Sequence, residues 1–523
     1  MCAERFAACE NVPRTLSFAT FRPLLPRPVQ ATAPPNARQL GLPAIAWLTL
    51  VVIACRVVQA HSFPLYDDAF ITYRYAENFA AGAGLVYNVG APWEPVLGTT
   101  TPLYALLLGL VVKLGASVEN ASLAFNLASD ALIAALIARS LAARPFAAAM
   151  AVLAFAALPD CGRISTGGME PPMFVAFALS AAYAAARNRL ALAGWMASLA
   201  CLTRPEGVLI VAAVTALHVR SRRDALQFFV PIALVGSISV AWLTSVYGSP
   251  IAQSVRAKAG RHGLGPDSGR SLATLVQAFA PQMLLQALAP LTLLGFVRAW
   301  RERSLVLSFV VFGACLPLAY LAAGAKTWGW YYYAPLTATC VGLGLGLDLA
   351  RARTGQFGER LSRVAVAPLS VGAPALASAV ALRCLAPDRV TPRVYEPLAA
   401  LLGKLDLERN QHRLLASDIG AVGYFSRGCI LDSEGLVWPP AREYADQAQA
   451  VAGERPEYVM VVVNQRRMSA WLAHPVSADY APIARFSAAG ATALDPGLER
   501  LPHSWAQDYL VYQRRDLPPL SKD

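Results

Sequence analysis

The sequence predicts a polytopic α-helical membrane protein with a long first outer loop and a small α/β domain toward its C-terminus. Three observations lead there. The 523 residues are 56% hydrophobic and only 15% charged, with a mean hydropathy of +0.43, whereas soluble domains carry roughly a quarter charged residues. Apolar runs recur between residues 42 and 382, separated by short arginine-bearing loops. Beyond about residue 385 the pattern changes to shorter, mixed segments.

Residues 1–40 hold Arg5, Arg14, Arg22, Arg27 and Arg38 among several prolines. This reads as a basic, flexible cytoplasmic tail ahead of an anchor helix at about 42 to 60, not as a cleavable signal. A spanning helix needs about 20 mostly apolar residues, and the next apolar run, 101–115, decides the topology. Counted as a span, it inverts every later basic loop. Laid along the outer surface as a juxtamembrane helix, which suits its Thr101-Pro102 start and Lys113, it leaves spans at about 120–139, 145–159, 171–187, 189–203, 206–220, 226–246, 283–298, 304–322, 331–349 and 364–382. About eleven helices result, including the first.

The inner loops then hold Arg139/Arg144, Arg187/Arg189, Arg220/Arg222/Arg223, Arg298/Arg301/Arg303 and Arg351/Arg353/Arg360/Arg363, as the positive-inside rule requires. The transmembrane core is expected over 41–384, with 61–119 as one outer loop. Residues 385–523 form an outer soluble domain, periplasmic or extracytoplasmic, on a plasma or bacterial inner membrane. The formal charge of +12 reflects topology and an anionic bilayer surface, and no motif supports nucleic acid as a partner. Within the outer domain, Tyr458-Val459-Met460-Val461-Val462-Val463 reads as a buried strand, and 414–420 as a second strand running into a turn. Gly342-Leu343-Gly344-Leu345-Gly346 lies inside an apolar span and reads as helix packing by small residues, not as a phosphate loop.

Four outer-facing places carry chemistry. Asp67-Asp68 precede Ala69-Phe70-Ile71: one carboxylate suffices to cap a helix, so a pair asks for a second role. Glu170 begins a span, either as an acidic first turn before Pro171-Pro172 or as a site residue. Arg204 and Glu206 flank Pro205 between two short apolar runs, either pairing with each other or serving function, because ionisable groups at membrane depth are costly. Arg256, Lys258 and Lys326 stand on the face that positive charges avoid, where an anionic ligand such as a lipid phosphate, or ordinary headgroups, would account for them. Tyr73, Tyr75, Trp93, Trp328, Trp330, Tyr331, Tyr332 and Tyr333 fit an aromatic belt and equally fit stacking on sugar faces.

These residues together resemble the GT-C superfamily of membrane glycosyltransferases that use polyprenyl-phosphate sugars, and especially the group containing the mycobacterial terminal arabinofuranosyltransferases. The resemblance rests on Asp67 through Ala76, Gly84-Leu85-Val86-Tyr87-Asn88, Thr101-Pro102-Leu103, Gly168-Met169-Glu170, Leu202 through Gly207, and Tyr247-Gly248 with Ala257-Lys258. Farther on it rests on 418–425 and 431–436. The chain departs from that pattern at Trp93-Glu94-Pro95-Val96-Leu97-Gly98, where a Glu-Gly-Tyr-type element is expected, and at Met169 and Pro171-Pro172.

The resemblance implies transfer of a sugar, arabinofuranose or another pentose or hexose, from a polyprenyl-phosphate donor to a hydroxyl of a glycan, glycolipid or protein. It also implies a catalytic acid on the first outer loop and usually inversion, and it leaves a divalent metal open. Adjacent carboxylates on a helix point about 100° apart, which favours a single base. Asp68 is the first choice and Asp67 the second. Lys258, Arg204 and Arg74 are the candidates for the departing phosphate, and Glu170, Glu206, Tyr73 and Lys326 for the substrates. A non-enzymatic transporter of lipid-linked sugars is the alternative reading.

Overall fold

The computed structural model describes residues 39–61, 63, 65–262, 288–325, 327–355, 372, 412–463, 465–486 and 509–518. The expected basic tail, the span at 364–382 and Lys326 lie outside them. The helical body runs α1 (Leu42–Ala60), α2 (Asp67–Ala80), α3 (Pro102–Lys113), α4 (Val118–Ser140), α5 (Pro145–Ala157), α6 (Pro159–Thr166), α7 (Pro171–Ala186) and α8 (Leu190–Thr203). It continues with α9 (Val208–His218), α10 (Arg222–Tyr247), α11 (Gln253–His262), α12 (Ala289–Glu302), α13 (Leu307–Ala322) and α14 (Tyr333–Arg353). Among the described residues four helical stretches are long and apolar enough to cross a bilayer alone: Leu42–Ala60, Val118–Ser140, Arg222–Tyr247 and Gly329–Arg353. α5 and α6 form a fifth only as a bent pair.

Length and composition of the described helices thus establish four or five of the expected eleven spans. Pro171–Ala186, Leu190–Thr203, Pro205–His218 and Leu307–Ala322 are apolar but short, and at 1.5 Å per residue each falls below the ~30 Å hydrocarbon core. The body is nevertheless that of an integral membrane protein. α10 presents Leu226, Phe229, Val230, Leu234, Ile238 and Val240 to its surroundings, an apolar face suited to lipid. Its start is fixed by a capping box, with Ser221 accepting from Asp224 N–H and the Asp224 carboxylate accepting from Ser221 N–H.

The interior is knit by small residues and one buried ion pair. Gly342 and Gly346, four apart on α14, meet α12 at Gly295 and Leu291, while Gly344 on the other side meets Ala147 of α5. A Cβ at any of the three would strike a neighbour, so the glycine run is a two-sided packing surface.

α5 breaks by 61° into α6. Pro159 has no N–H to give Phe155 O, and the bend strips Ala156 O as well. Arg56 of α1 supplies both, donating to Phe155 O at 2.9 Å and Ala156 O at 3.1 Å. The same guanidinium donates to Asp130 of α4 at 2.6 Å and Gln59 at 2.8 Å, and Tyr333 OH donates to Asp130. One fully buried arginine thus joins α1, α4, α5 and α14.

The C-terminal domain is a five-stranded sheet of order β2-β1-β3-β5-β4, with β1 (Arg413–Ala416), β2 (Cys429–Asp432), β3 (Tyr458–Val462), β4 (Tyr480–Phe486) and β5 (Tyr509–Arg514). β1 pairs in parallel with both β2 and β3, and β5 runs antiparallel to β3 and β4. α15 (Gly420–Ser426), α16 (Gln447–Glu454) and α17 (Gln465–Ala473) fill the connections. Alternation along the strands divides the burial. Leu414, Ala416, Tyr458, Met460 and Val462 face a core continuous with the helical body, and Leu415, Leu431, Val459 and Val461 face a second, separate core. The strand expected at 458–463 is the fully buried β3.

Breaking a buried pair costs about 3–5 kcal/mol, because it strands the partner's charge, whereas apolar replacement of both partners is often near neutral. Arg56→Met is therefore expected to lower the thermal midpoint of detergent-solubilised protein sharply, with Arg56→Met/Asp130→Leu recovering much of the loss. A double variant no better than the single would contradict this account.

Candidate functional site

α2 begins where two segments meet. Tyr66, its N-cap, donates its N–H to Gly167 O at 2.9 Å. Its ring lies 4.9 Å from that of Trp330, with the Arg163 guanidinium 5.7 Å above it. Asp67 and Asp68 are the first two helical residues, and no side chain caps α2 itself. The carboxylate of Asp67 instead caps α15: Gly420 N–H donates to Oδ2 at 3.1 Å and Ala421 N–H to Oδ1 at 2.8 Å.

Two turns along α2, Arg74 donates to Gly423 O at 2.5 Å and Gly428 O at 2.6 Å, with its guanidinium over the Tyr87 ring at 4.2 Å. The seven positions from Asp67 to Arg74 span about 10.5 Å. That matches the seven-residue α15. α2 thus places a carboxylate at the N-terminus of α15 and a guanidinium at its C-terminus, each favoured by the helix dipole.

Glycine makes the approach close enough. A Cβ at Gly420 would collide with the Asp67 carbonyl, and one at Gly423 with the Tyr87 hydroxyl. Further bonds brace the junction. Tyr87 OH donates to Ile419 O at 2.5 Å, Asn88 bonds both backbone groups of Ile430, and Tyr424 OH donates to Glu77 at 2.6 Å. Glu77 also pairs with Arg427. The Asp67 carboxyl is pushed up to about 7, mainly by loss of water and then by the nearby charge of Asp418, against the opposing pull of the Ala421 N–H.

A second cluster gathers Glu170, Arg204 and Glu206. Arg204 donates to Glu170 at 2.6 Å and to Glu206 at 2.9 Å, and Tyr320 OH donates to Glu206 at 2.7 Å. The Arg204 guanidinium lies 4.5 Å from the Tyr331 ring centre. Gly168, at φ +85°, turns the chain between the two clusters. Tyr73 is buried beneath it and donates to Ser122 at 2.7 Å.

The structure therefore brings Asp67, Asp68, Tyr73, Glu170, Arg204 and Glu206 toward one end of the body. Arg74, a candidate for the departing phosphate, bonds the carbonyls of Gly423 in α15 and Gly428 just beyond it. Arg204 is held between two carboxylates. Lys258 lies on α11, whose first residue Gln253 donates its N–H to Leu97 O at 2.8 Å and its side-chain amide to Gly435 O at 3.1 Å. The side chain of Lys258 is outside the described set. Among the described residues no group of three His, Cys, Asp or Glu side chains is arranged to hold a metal ion.

Sequence reasoning missed Arg163. Its guanidinium lies over the ring of Tyr66, one residue before the paired acids, and acts through its charge on Asp160, three residues before it. Its sequence signal was faint: a single cation five residues ahead of Gly168, in an apolar neighbourhood.

The overall fold is a known one. It is shared with ArnT from Cupriavidus metallidurans, solved in the apo state (14% identity, TM-score 0.55, covering 90% of this chain and 98% of that one). It is shared also with the same protein bound to undecaprenyl phosphate (11% identity, TM-score 0.53, covering 89% and 97%). A family model described as a domain of unknown function, DUF8728, matches residues 399–512. No curated protein matches the chain in sequence.

Because the docked Asp67 holds a proton up to about pH 7 and a released one only to about 4, docking is strongest in acid. It weakens as pH rises between those values and levels off above them. Hydrogen–deuterium exchange of α15, corrected for intrinsic rate, is expected to show greater protection at pH 5 than at pH 8. Asp67→Asn should flatten that difference, and Gly420→Ala should remove protection at both. Equal protection of the wild type at the two pH values would contradict the assignment.

Proposed function

We propose that this protein is a membrane glycosyltransferase that moves a sugar from a polyprenyl-phosphate donor to an acceptor hydroxyl on the outer face of the membrane, with inversion. The observation that carries the reading is the start of α2. Two adjacent carboxylates follow Tyr66, whose N–H holds Gly167, three residues before Glu170 of a buried Glu170–Arg204–Glu206 cluster, in a fold shared with a protein solved bound to undecaprenyl phosphate. The sugar, arabinofuranose or another pentose or hexose, and the acceptor, a glycan, glycolipid or protein, are assigned by class.

Both oxygens of Asp67 are engaged by α15, so Asp68, about 100° farther round the helix, is the general base that takes the acceptor's proton as the anomeric bond breaks. A carboxyl titrating near 7 suits a general base at neutral pH, but in Asp67 that property serves docking. Cations that meet the departing phosphate do most where water is scarce. Arg163 and Lys258 take that role here, while Arg74 and Arg204 hold the surrounding structure and Glu170, Glu206 and Tyr73 shape the pocket. The transporter reading needs a charge free to move inside the spans, whereas the buried Arg56–Asp130 pair is closed by fixed partners.

The test is transfer by purified protein in lipid nanodiscs, offered a panel of polyprenyl-phosphate sugars and acceptors. Asp68→Asn is expected to lower the rate by roughly 10²- to 10⁴-fold while leaving donor binding intact. Full activity in Asp68→Asn with loss in Asp67→Asn would reverse their roles. In the same nanodiscs, Arg163→Ala is expected to weaken undecaprenyl phosphate binding by about tenfold or more, the value of a charged hydrogen bond. Unchanged affinity would remove Arg163 from the phosphate site.

A further inference from the structure

Between the first long loop and the C-terminal domain lies a cavity of about 220 Å³, walled by Tyr87, Asn88, Trp93, Glu94, Val96 and Val437 among others. Trp93 and Glu94 open the stretch where the chain departs from the pattern it resembles, and no contact described so far uses either. Part of Trp93 packs on the second core of the C-terminal domain, and the rest is left to line the cavity. Glu94 is exposed and makes no hydrogen bond or ion pair with another described residue. The remaining wall is largely aliphatic.

A concave, mostly apolar wall with few polar groups is the usual make-up of a small-molecule site, and this one falls below the ~300–1,000 Å³ of drug-sized sites. It suits a single ring. An indole packs against the C–H face of a sugar, and a carboxylate accepts strongly from ring hydroxyls. A hydrocarbon would leave Glu94 without a partner, and an anion would be repelled by it. Tyr87 connects the cavity to the paired acids: from its wall it donates to Ile419 O, one residue before the Gly420 that holds Asp67.

We infer that this cavity is a subsite for a neutral sugar ring of the acceptor; the word acceptor rests on the transferase reading, the sugar site does not. The test compares wild type, Trp93→Ala, Trp93→Phe and Glu94→Gln in nanodiscs. Saturation-transfer NMR without donor uses linear arabinose, galactose and mannose oligosaccharides, and transfer kinetics follow with whichever of them binds. Trp93→Ala and Glu94→Gln are expected to weaken oligosaccharide binding and raise acceptor KM by about tenfold, with Trp93→Phe restoring most of the loss. Donor KM, and donor hydrolysis in the absence of acceptor, should change by less than about twofold.

Equal saturation transfer in wild type and Trp93→Ala, none in wild type from any oligosaccharide, or a parallel rise of donor and acceptor KM would overturn the inference. A wild type that binds oligosaccharide through Trp93 but turns over no donor would sink the transferase reading and leave the sugar site standing.

Discussion

The grip of α2 on α15 is the interaction on which the rest of the site depends. A carboxylate and a guanidinium two turns apart on one helix hold the two ends of another that is two turns long. The charged bonds of Arg74 contribute about 1.5–3 kcal/mol each and those to Asp67, largely protonated below about pH 7, about 0.5–1.5 kcal/mol, and removing one partner strands the other. The sheet adds to the grip, because one face of β1 and β3 belongs to the same core as the helical body. The C-terminal domain is thus a wall of the site.

The buried arginines show how one side chain serves different ends through its partners. A guanidinium offers five donors in a fixed fork and keeps its charge, so its surroundings decide what it does. Arg56 meets carbonyls stripped by a proline and a carboxylate, which fixes a bend. Arg74 meets the carbonyls at a helix end, which fixes a domain. Arg204 meets two carboxylates and an aromatic face, which fixes the turn between α8 and α9. Arg163, over the ring of Tyr66 and close enough to Asp160 for its charge to act on that carboxylate, is placed differently from all three.

Much of this was legible in the sequence where the signal is local. Hydropathy marked the apolar helices, the all-apolar run at 458–462 marked the central strand, and the glycine run in α14 declared close packing. The number of spans was less legible, because runs of 11 to 16 apolar residues look like spans by composition and fall short by length. The site was legible as a set of residues and not as a set of partners. An aspartate at a helix start does cap a helix here, but the helix lies 353 positions away in sequence, and no periodicity carries that information. The partners of Arg74 are hidden for the same reason: they are backbone carbonyls, which every residue has and no motif announces.

In the proposed transferase reading, a division of labour between adjacent residues accounts for the two aspartates at the start of α2. A carboxylate that accepts amide N–H groups on both oxygens has given its lone pairs a fixed direction, and taking a proton from a substrate would weaken the bonds that orient it. A second carboxylate on the next residue shares the same backbone and points about 100° away, so the docked helix orients it as well. Any error in docking α15 then reaches Asp68 as the same rotation. In the transferase reading proposed above, misplacement by about 1 Å would cost roughly 10²-fold, so the closeness permitted by Gly420 and Gly423 would serve the chemistry as well as the fold.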